Sequence, residues 1–233
     1  MHIIYWSDYA CPYCYIAERR LHTAIQALGM ENEVSFEPRA FELDPGAAKT
    51  VQSDTAHRFA MKYGLPLAQA MAQIEHISAL GREAGIDFRY ATTQYTNTFD
   101  ANRLMKLALS TKDQAVAART NELLFAAYFT KNLKLADEDT LLAVGGEAGL
   151  ARESILSMLH SDAFADEVRA DERAAAERGV RGVPYFIFPD GATIPGAISE
   201  RDFRDLLQRN RGREPVAAQQ CGPEGCAVHF GNK

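Results

Sequence analysis

Two cysteines near the amino terminus are the residues best suited to covalent chemistry. Cys11 and Cys14 are separated by Pro12 and Tyr13, a spacing that lets the two sulfur atoms close a disulfide. A thiol attacks a disulfide as its thiolate. The pair therefore predicts dithiol–disulfide exchange, with Cys11 as the exposed attacking sulfur and Cys14 as the buried resolving sulfur. Half of a zinc site, or two chance core residues, are the alternative interpretations of a bare Cys-x-x-Cys pair.

The segments around this pair predict how the attacking sulfur is held. His2 to Ser7 is a short, apolar, β-prone run, Pro12 to Leu28 has helical apolar spacing, and Glu33 to Phe41 alternates as a second strand. In this β-α-β unit Cys11 lies directly before the helix. The unpaired N–H groups and the positive dipole end of a helix start stabilise a thiolate. Pro12 suits the first helical turn, where a missing N–H costs nothing.

A second group of strands follows near the carboxyl end. Pro184 to Phe188 and Ala192 to Pro195 flank a Pro-Asp-Gly turn and predict a β-hairpin. A proline that begins a strand lacks the N–H needed for pairing. A cis Val183–Pro184 bond explains the proline and would bring the Val183 backbone opposite Cys11, where it could pair with an extended substrate. A trans proline in an edge strand is the alternative.

The long stretch between the two strand groups is helical in pattern. Gly or polar residues separate most of the predicted helices, which are Thr55–Tyr63, Pro66–Glu83, Phe99–Ser110, Asp113–Thr130, Glu138–Glu147 and Glu153–Arg178. We therefore expect an α/β domain made of residues 1–45 plus 165–209, with a helical insertion over 46–164. A further helix starts at Glu200, and residues 210–233 form a tail without apolar periodicity.

Charge and composition narrow the class of partner. The 233 residues include 25 Lys and Arg against 31 Asp and Glu, a formal net charge of −6, which argues against nucleic-acid binding. No apolar run approaches the roughly 20 residues that span a bilayer. Met1 to Trp6 leads straight into the first predicted strand, which leaves no room for a cleaved leader. With only four cysteines, this predicts a cytoplasmic protein.

The other two cysteines form a second pair in the tail. Cys221 and Cys226 are separated by Gly-Pro-Glu-Gly, which is flexible enough to close a small disulfide loop. They could relay redox equivalents to or from the first pair. Alternatively, Cys221, Cys226 and His229 could supply three zinc ligands, although a fourth is not evident, or the tail cysteines could be idle. We predict the relay and no metal.

The motifs together resemble the DsbA-like oxidoreductases, and most closely their FrnE-like cytosolic branch. The resemblance spans about residues 1–209 and is carried by Ser7–Tyr15, by Gly179–Phe186 and by Pro195-Gly196-Ala197. It implies a thioredoxin fold with an inserted helical domain, a cis proline at Pro184, and exchange with protein thiols and disulfides or small thiols. Tyr13 would shape the surroundings of the attacking sulfur. No organic cofactor is required.

Two other functions stay open at this stage. Asn97 to Arg103 resembles a segment of the wider group that includes glutathione-dependent hydroxychromene carboxylate isomerases of the kappa type. Those isomerases usually carry Ser at the position of Cys11, and many relatives have His where this chain has Asn102, so the sequence favours redox chemistry. Helix capping and packing explain Asn97 and Asn102. The third possibility is a redox-controlled chaperone whose helical insert binds unfolded chains.

Overall fold

The computed structural model describes residues 1–213, and its centre is a four-stranded mixed sheet. The strands are β1 (His2–Ser7), β2 (Ser35–Ala40), β3 (Tyr185–Ile187) and β4 (Thr193–Pro195), in the order β2-β1-β3-β4. β1 and β2 are parallel, whereas β1 with β3 and β3 with β4 are antiparallel. The amino-terminal β-α-β unit and the late hairpin predicted from the sequence therefore join in one sheet.

Nine α-helices surround this sheet within residues 1–213. They are α1 (Pro12–Ala27), α2 (Thr55–Tyr63), α3 (Leu67–Glu83), α4 (Phe99–Ser110), α5 (Gln114–Phe129), α6 (Glu138–Ala148), α7 (Arg152–Leu159), α8 (Ala165–Glu177) and α9 (Glu200–Asn210). Several begin where an acidic or hydroxyl side chain accepts an N–H of the first turn, as at Asp54, Asp137 and Ser199. Capping of this kind explains why the boundaries of α2 match the sequence prediction.

Both faces of the sheet are covered, because side chains alternate along β1. Ile3 and Tyr5 pack with apolar residues of α1 and α9, whereas Ile4 and Trp6 point to a cluster that includes Ala175 of α8. Helices α2 to α7 form a further apolar cluster with the first turns of α1. The fold is thus an α/β thioredoxin fold with a large helical insert. The domain boundaries at 45 and 165 stay predictions.

The helix predicted over Glu153–Arg178 is wrong, because the chain breaks between α7 and α8. Phe164 adopts a left-handed conformation with φ 63° immediately before α8. The cause lies in α4, where the buried Arg103 guanidinium donates to main-chain carbonyl oxygens around the break. Those carbonyls belong to Met158, Ser161 and Ala163. They accept from a side chain, so the helical hydrogen-bond pattern is interrupted without glycine or proline.

Candidate functional site

The loop between β1 and α1 is fixed by one buried carboxylate. Asp8 accepts the main-chain N–H of Leu43 at 2.7 Å and that of Ala10 at 3.3 Å. Its own carbonyl oxygen accepts the N–H of Cys11 at 2.9 Å. Burial raises the pKa of Asp8, while these N–H donors oppose the rise. The bonds hold Cys11 at the start of α1.

Cys11 is the N-cap residue of α1, and Cys14 lies one turn further along. Both are free thiols, and both are buried, with 3% of Cys11 and 0% of Cys14 exposed. The expectation of an exposed Cys11 is therefore wrong, because the helical insert covers the start of α1. Burial, reinforced by contact with Cys11, raises the pKa of Cys14 well above its usual value. Cys14 is accordingly held as the protonated thiol.

Val183 faces the attacking sulfur from the opposite side. The Cys11 thiol donates to the Val183 carbonyl oxygen at 3.4 Å, and the Val183–Pro184 peptide bond is cis. Pro184 is buried, and its carbonyl oxygen accepts the N–H of Gly196 at 2.8 Å, just after β4. The structure thus brings together Cys11, Cys14 and the Val183–Pro184 bond from opposite ends of the chain.

A cavity of about 320 Å³ opens above Cys11. Its floor includes Cys11, Pro12 and Val183, and the other walls come mainly from the helical insert. Tyr13 is 39% exposed and stands at the rim. The lining on the insert side includes Arg58, Phe59, Lys62, Tyr90 and Tyr95. The volume lies at the lower end of the range typical of small-molecule sites.

The family follows from comparison with known proteins. A family model described as a DSBA-like thioredoxin domain matches residues 2–208. The chain belongs to this family. A probable DsbA oxidoreductase from Streptomyces coelicolor is 33% identical, with 98% of this chain and 99% of that one covered and a TM-score of 0.84.

Two more distant structures share the DsbA-like fold. A 2-hydroxychromene-2-carboxylate isomerase is 19% identical over 90% of this chain and 95% of its own, with a TM-score of 0.68. The cytosolic disulfide reductase DsbM from Pseudomonas aeruginosa is 17% identical over 90% and 98%, with a TM-score of 0.59. Residues 1–213 of the present DsbA-like chain include no helix long and apolar enough to cross a bilayer.

Arg58 is the residue of this DsbA-like site that sequence reasoning missed. Its guanidinium stacks on Tyr95, with 4.0 Å from the guanidinium carbon to the ring centroid. Its Nε is buried and has no hydrogen-bond partner within residues 1–213. The sequence gives no signal that Arg58 lines this cavity, because Arg58 and Cys11 are 47 positions apart. They come to the same cavity through the packing of α2 on α3 and of α3 on α1.

The other residues singled out from the sequence are two asparagines near the start of α4 and the cysteine pair of the tail. Asn97 lies one residue before Thr98, the N-cap of α4, and accepts the N–H of Phe99 at 2.9 Å, while Asn102 donates to the Thr98 carbonyl oxygen at 3.1 Å. Both asparagines make the local hydrogen bonds expected of packing residues, and neither lines the cavity above Cys11. The pair Cys221 and Cys226, together with His229, lies outside the described residues.

Proposed function

We propose that the protein is a thiol–disulfide oxidoreductase that uses Cys11 and Cys14. The Cys11 thiolate attacks a substrate disulfide, forming a Cys11–substrate disulfide and releasing one substrate thiolate. Cys14 then attacks the Cys11 sulfur, forming the Cys11–Cys14 disulfide and releasing the second thiolate, and the reverse sequence oxidises a dithiol. The observation that carries the proposal is the position of Cys11 at a helix start, one turn before Cys14 and beneath a cavity.

The cavity above Cys11 and the cations that line it favour a small anionic disulfide as the substrate. Because Cys11 is almost fully buried, a disulfide must enter the cavity to reach it. Arg58 and Lys62 line this cavity, and the Arg58 Nε lacks a partner among the described residues. The cationic groups of both side chains would favour a substrate that carries carboxylates, through charge-assisted hydrogen bonds. Glutathione disulfide has the required carboxylates, and a protein disulfide on an extended segment is the other candidate.

Reduction of glutathione disulfide tests the exchange reaction directly. Cys11→Ser should abolish turnover, whereas Cys14→Ser should retain the first attack and accumulate a mixed disulfide with one glutathione, detectable by mass spectrometry. Cys11→Ser with unchanged turnover would disprove the proposal. The intact chain and both variants must first give the same circular dichroism spectrum, so that loss of folding is separated from loss of the sulfur.

Arg58→Gln tests the choice of substrate. The loss of one charge-assisted hydrogen bond should raise KM for glutathione disulfide about tenfold to a hundredfold and leave kcat nearly unchanged. Arg204→Gln is the matched control, because Arg204 lies on α9 and pairs with Glu200 away from the cavity lining. If Arg58→Gln slows reduction of insulin but not of glutathione disulfide, the protein disulfide is the better assignment.

The cavity above Cys11 also suits a glutathione-dependent isomerase, the second candidate. An isomerase needs bound thiol but no resolving sulfur. An isomerase activity on a hydroxychromene carboxylate should therefore be retained in Cys14→Ser. Catalytic turnover of a disulfide substrate should be lost in the same variant. The presence of Cys14 favours exchange as the main reaction.

The tail pair is proposed to relay oxidation between Cys11–Cys14 and a partner. A variant that ends at Arg213 tests this role without touching the described fold. Its reduction potential and its rate of re-oxidation should differ from those of the intact chain if Cys221 and Cys226 exchange with the first pair. Identical values would eliminate the relay and leave the first pair as the whole redox centre.

A further inference from the structure

The walls of the cavity above Cys11 combine apolar rings with positive charge. Arg58 and Lys62 are its cations, and no Asp or Glu of residues 1–213 lines it. The apolar and aromatic side chains on the insert side are Leu43, Phe59, Tyr63, Ile77, Tyr90 and Tyr95. A purely ionic substrate would leave these rings without a partner. The lining therefore fits a ligand that joins an aromatic body to an oxygen on which negative charge develops.

The aromatic part of this lining is held in place by the core of the insert. The Tyr90 ring is 4% exposed and lies 5.8 Å from the Phe129 ring and 6.1 Å from the Phe88 ring, measured between centroids. The Phe59 ring lies 4.5 Å from the Tyr63 ring. An engineered apolar cavity of about 150 Å³ is enough to bind benzene. The cavity of about 320 Å³ therefore has room for an aryl group beside the attacking sulfur.

Both cations of the cavity are available to a ligand. Arg58 lies over the Tyr95 ring, 4.0 Å from its centroid, and Lys62 lies 5.7 Å from the centroid of the Tyr63 ring. Neither cation has a carboxylate partner within 4.0 Å among residues 1–213. Positive groups that are already in place stabilise negative charge as it develops on a leaving oxygen. The cavity therefore brings aromatic walls and unpaired cations together at one sulfur.

The sulfur pair at the base of the cavity can reduce an O–O bond as well as an S–S bond. A peroxide oxidises a cysteine thiolate to a sulfenic acid, which condenses with a second thiol to a disulfide. Cys14 supplies that second thiol one helical turn after Cys11. Its proton leaves with the hydroxyl group of the sulfenic acid as water, so the condensation requires no other proton acceptor.

We propose that the protein also reduces organic hydroperoxides that carry an aryl group, with Cys11 as the attacking sulfur. The Cys11 thiolate bonds to the terminal oxygen of the hydroperoxide, and the O–O bond breaks. The alkoxide takes the electron pair of that bond and the proton that the Cys11 thiol has lost, and it leaves as an alcohol. Cys14 then attacks the sulfur of the Cys11 sulfenic acid, which forms the Cys11–Cys14 disulfide and releases water. The peroxide gains two electrons, and the dithiol loses them.

The two parts of the lining act at different points of the substrate. The rings bind the aryl group, and Arg58 and Lys62 stabilise the alkoxide as the O–O bond breaks. A small thiol such as glutathione then reduces the Cys11–Cys14 disulfide and completes the cycle. The inference rests on the proposed exchange reaction for this last step alone. Oxidation of the pair by the peroxide does not depend on it.

A single turnover with cumene hydroperoxide tests the proposal without a recycling thiol. The full chain carries Cys221→Ser and Cys226→Ser, so that Cys11 and Cys14 are the only thiols, and the loss of thiols is followed after mixing. The rate constant for cumene hydroperoxide should exceed that for hydrogen peroxide about tenfold to a hundredfold, because the cavity buries the aryl group. Glutathione alone gives the same ratio for a thiol without a cavity. A protein ratio no larger than that of glutathione would overturn the proposal.

Gln73→Trp tests whether the aryl group binds in the cavity. Gln73 is exposed and lines the cavity, whereas Gln69 is exposed one turn earlier on α3 and does not line it. An indole at position 73 should slow the reaction with cumene hydroperoxide about tenfold and leave that with hydrogen peroxide unchanged. Gln69→Trp is the matched control and should leave both reactions unchanged. Equal effects of Gln73→Trp on the two peroxides would place the aryl group outside the cavity and contradict the proposal.

Cys14→Ser in the same background stops the reaction after its first step. The Cys11 sulfenic acid should then accumulate and react with dimedone, and mass spectrometry of the digested protein should locate the adduct on Cys11. Cys11→Ser should give no adduct. Failure to find an adduct in Cys14→Ser would show that the peroxide does not react at Cys11, and the inference would be lost.

Reduction of glutathione disulfide by the same protein separates the inference from the proposed function. If glutathione disulfide is reduced but cumene hydroperoxide oxidises Cys11 no faster than it oxidises free glutathione, the inference is wrong and the exchange reaction stands. If cumene hydroperoxide oxidises the pair rapidly but glutathione disulfide does not react, the exchange reaction is wrong and the peroxide reaction stands.

Discussion

Replacement of Glu18 by Gln should remove a large pH dependence of stability. Glu18 keeps its proton in the folded state up to a pH of about 8, whereas in the unfolded chain its carboxyl has a pKa near the usual 4.5. Between these values the folded state binds one more proton than the unfolded state. A rise in pH therefore favours unfolding, and stability from this residue is greatest below pH 4.5. Gln has nearly the same shape and does not titrate.

The magnitude follows from the two pKa values of Glu18. Each pH unit between 4.5 and 8 lowers the free energy of unfolding by about 1.4 kcal/mol, so the whole interval removes about 5 kcal/mol. The side chain is almost fully buried, so solvent screens little of this effect. Total stabilities are typically about 5–15 kcal/mol. The intact chain should therefore be much less stable in mild alkali than in mild acid.

Urea unfolding followed by circular dichroism measures this difference. The assay compares the intact chain with Glu18→Gln, in reductant and at constant ionic strength, at several pH values from about 5 to about 8.5. The two free energies should agree at the acid end and separate by several kcal/mol in favour of Glu18→Gln at the alkaline end. Glu177→Gln, an exposed change at the end of α8, should follow the intact chain. A separation below about 1 kcal/mol would show that Glu18 is ionised in the folded state.

Four further substitutions test the packing of the helical insert by urea unfolding. Gly81→Ala would make a methyl group clash with the Phe88 ring and should cost about 1–3 kcal/mol. Gly146→Ala meets nothing within 4 Å and should stabilise the fold by up to about 1 kcal/mol. Arg103→Met leaves the carbonyls of the α7–α8 break unsatisfied and should cost about 3 kcal/mol. Asp54→Ala removes the N-cap of α2 and should cost about 1 kcal/mol.

Local patterns were sufficient to predict the parts of the fold that depend on neighbouring residues. The β1-α1-β2 unit follows from apolar periodicity, and the end of α2 follows from Gly64, which takes the left-handed conformation there. The break between α7 and α8 has no local cause, because the donor that interrupts the hydrogen bonds is Arg103, about 55 residues earlier in the chain. Tertiary donors of this kind override helix propensity and leave no mark in the local sequence.

The candidate site shows the same division between local and long-range causes. The spacing of Cys11 and Cys14 and the start of α1 predict the chemistry, since both are local features. The burial of Cys11 depends on α2 and the segment around Tyr90, which lie far away in sequence. The proton affinity of Glu18 likewise depends on Asn121 and Glu122 of α5. Burial raises the pKa of this carboxyl, and the helical pattern of α1 alone does not reveal that Glu18 is buried.

The two cavities beside α1 connect these observations to the reaction. The cavity above Cys11 presents cations from α2 to an incoming substrate, while the cavity beside Glu18 opens between α1 and α5. In the exchange reaction proposed above, an anionic substrate would be attracted by the α2 cations before Cys11 attacks it. Selection of the substrate would then take place on the side of α1 that faces α2, and not in the cavity beside Glu18.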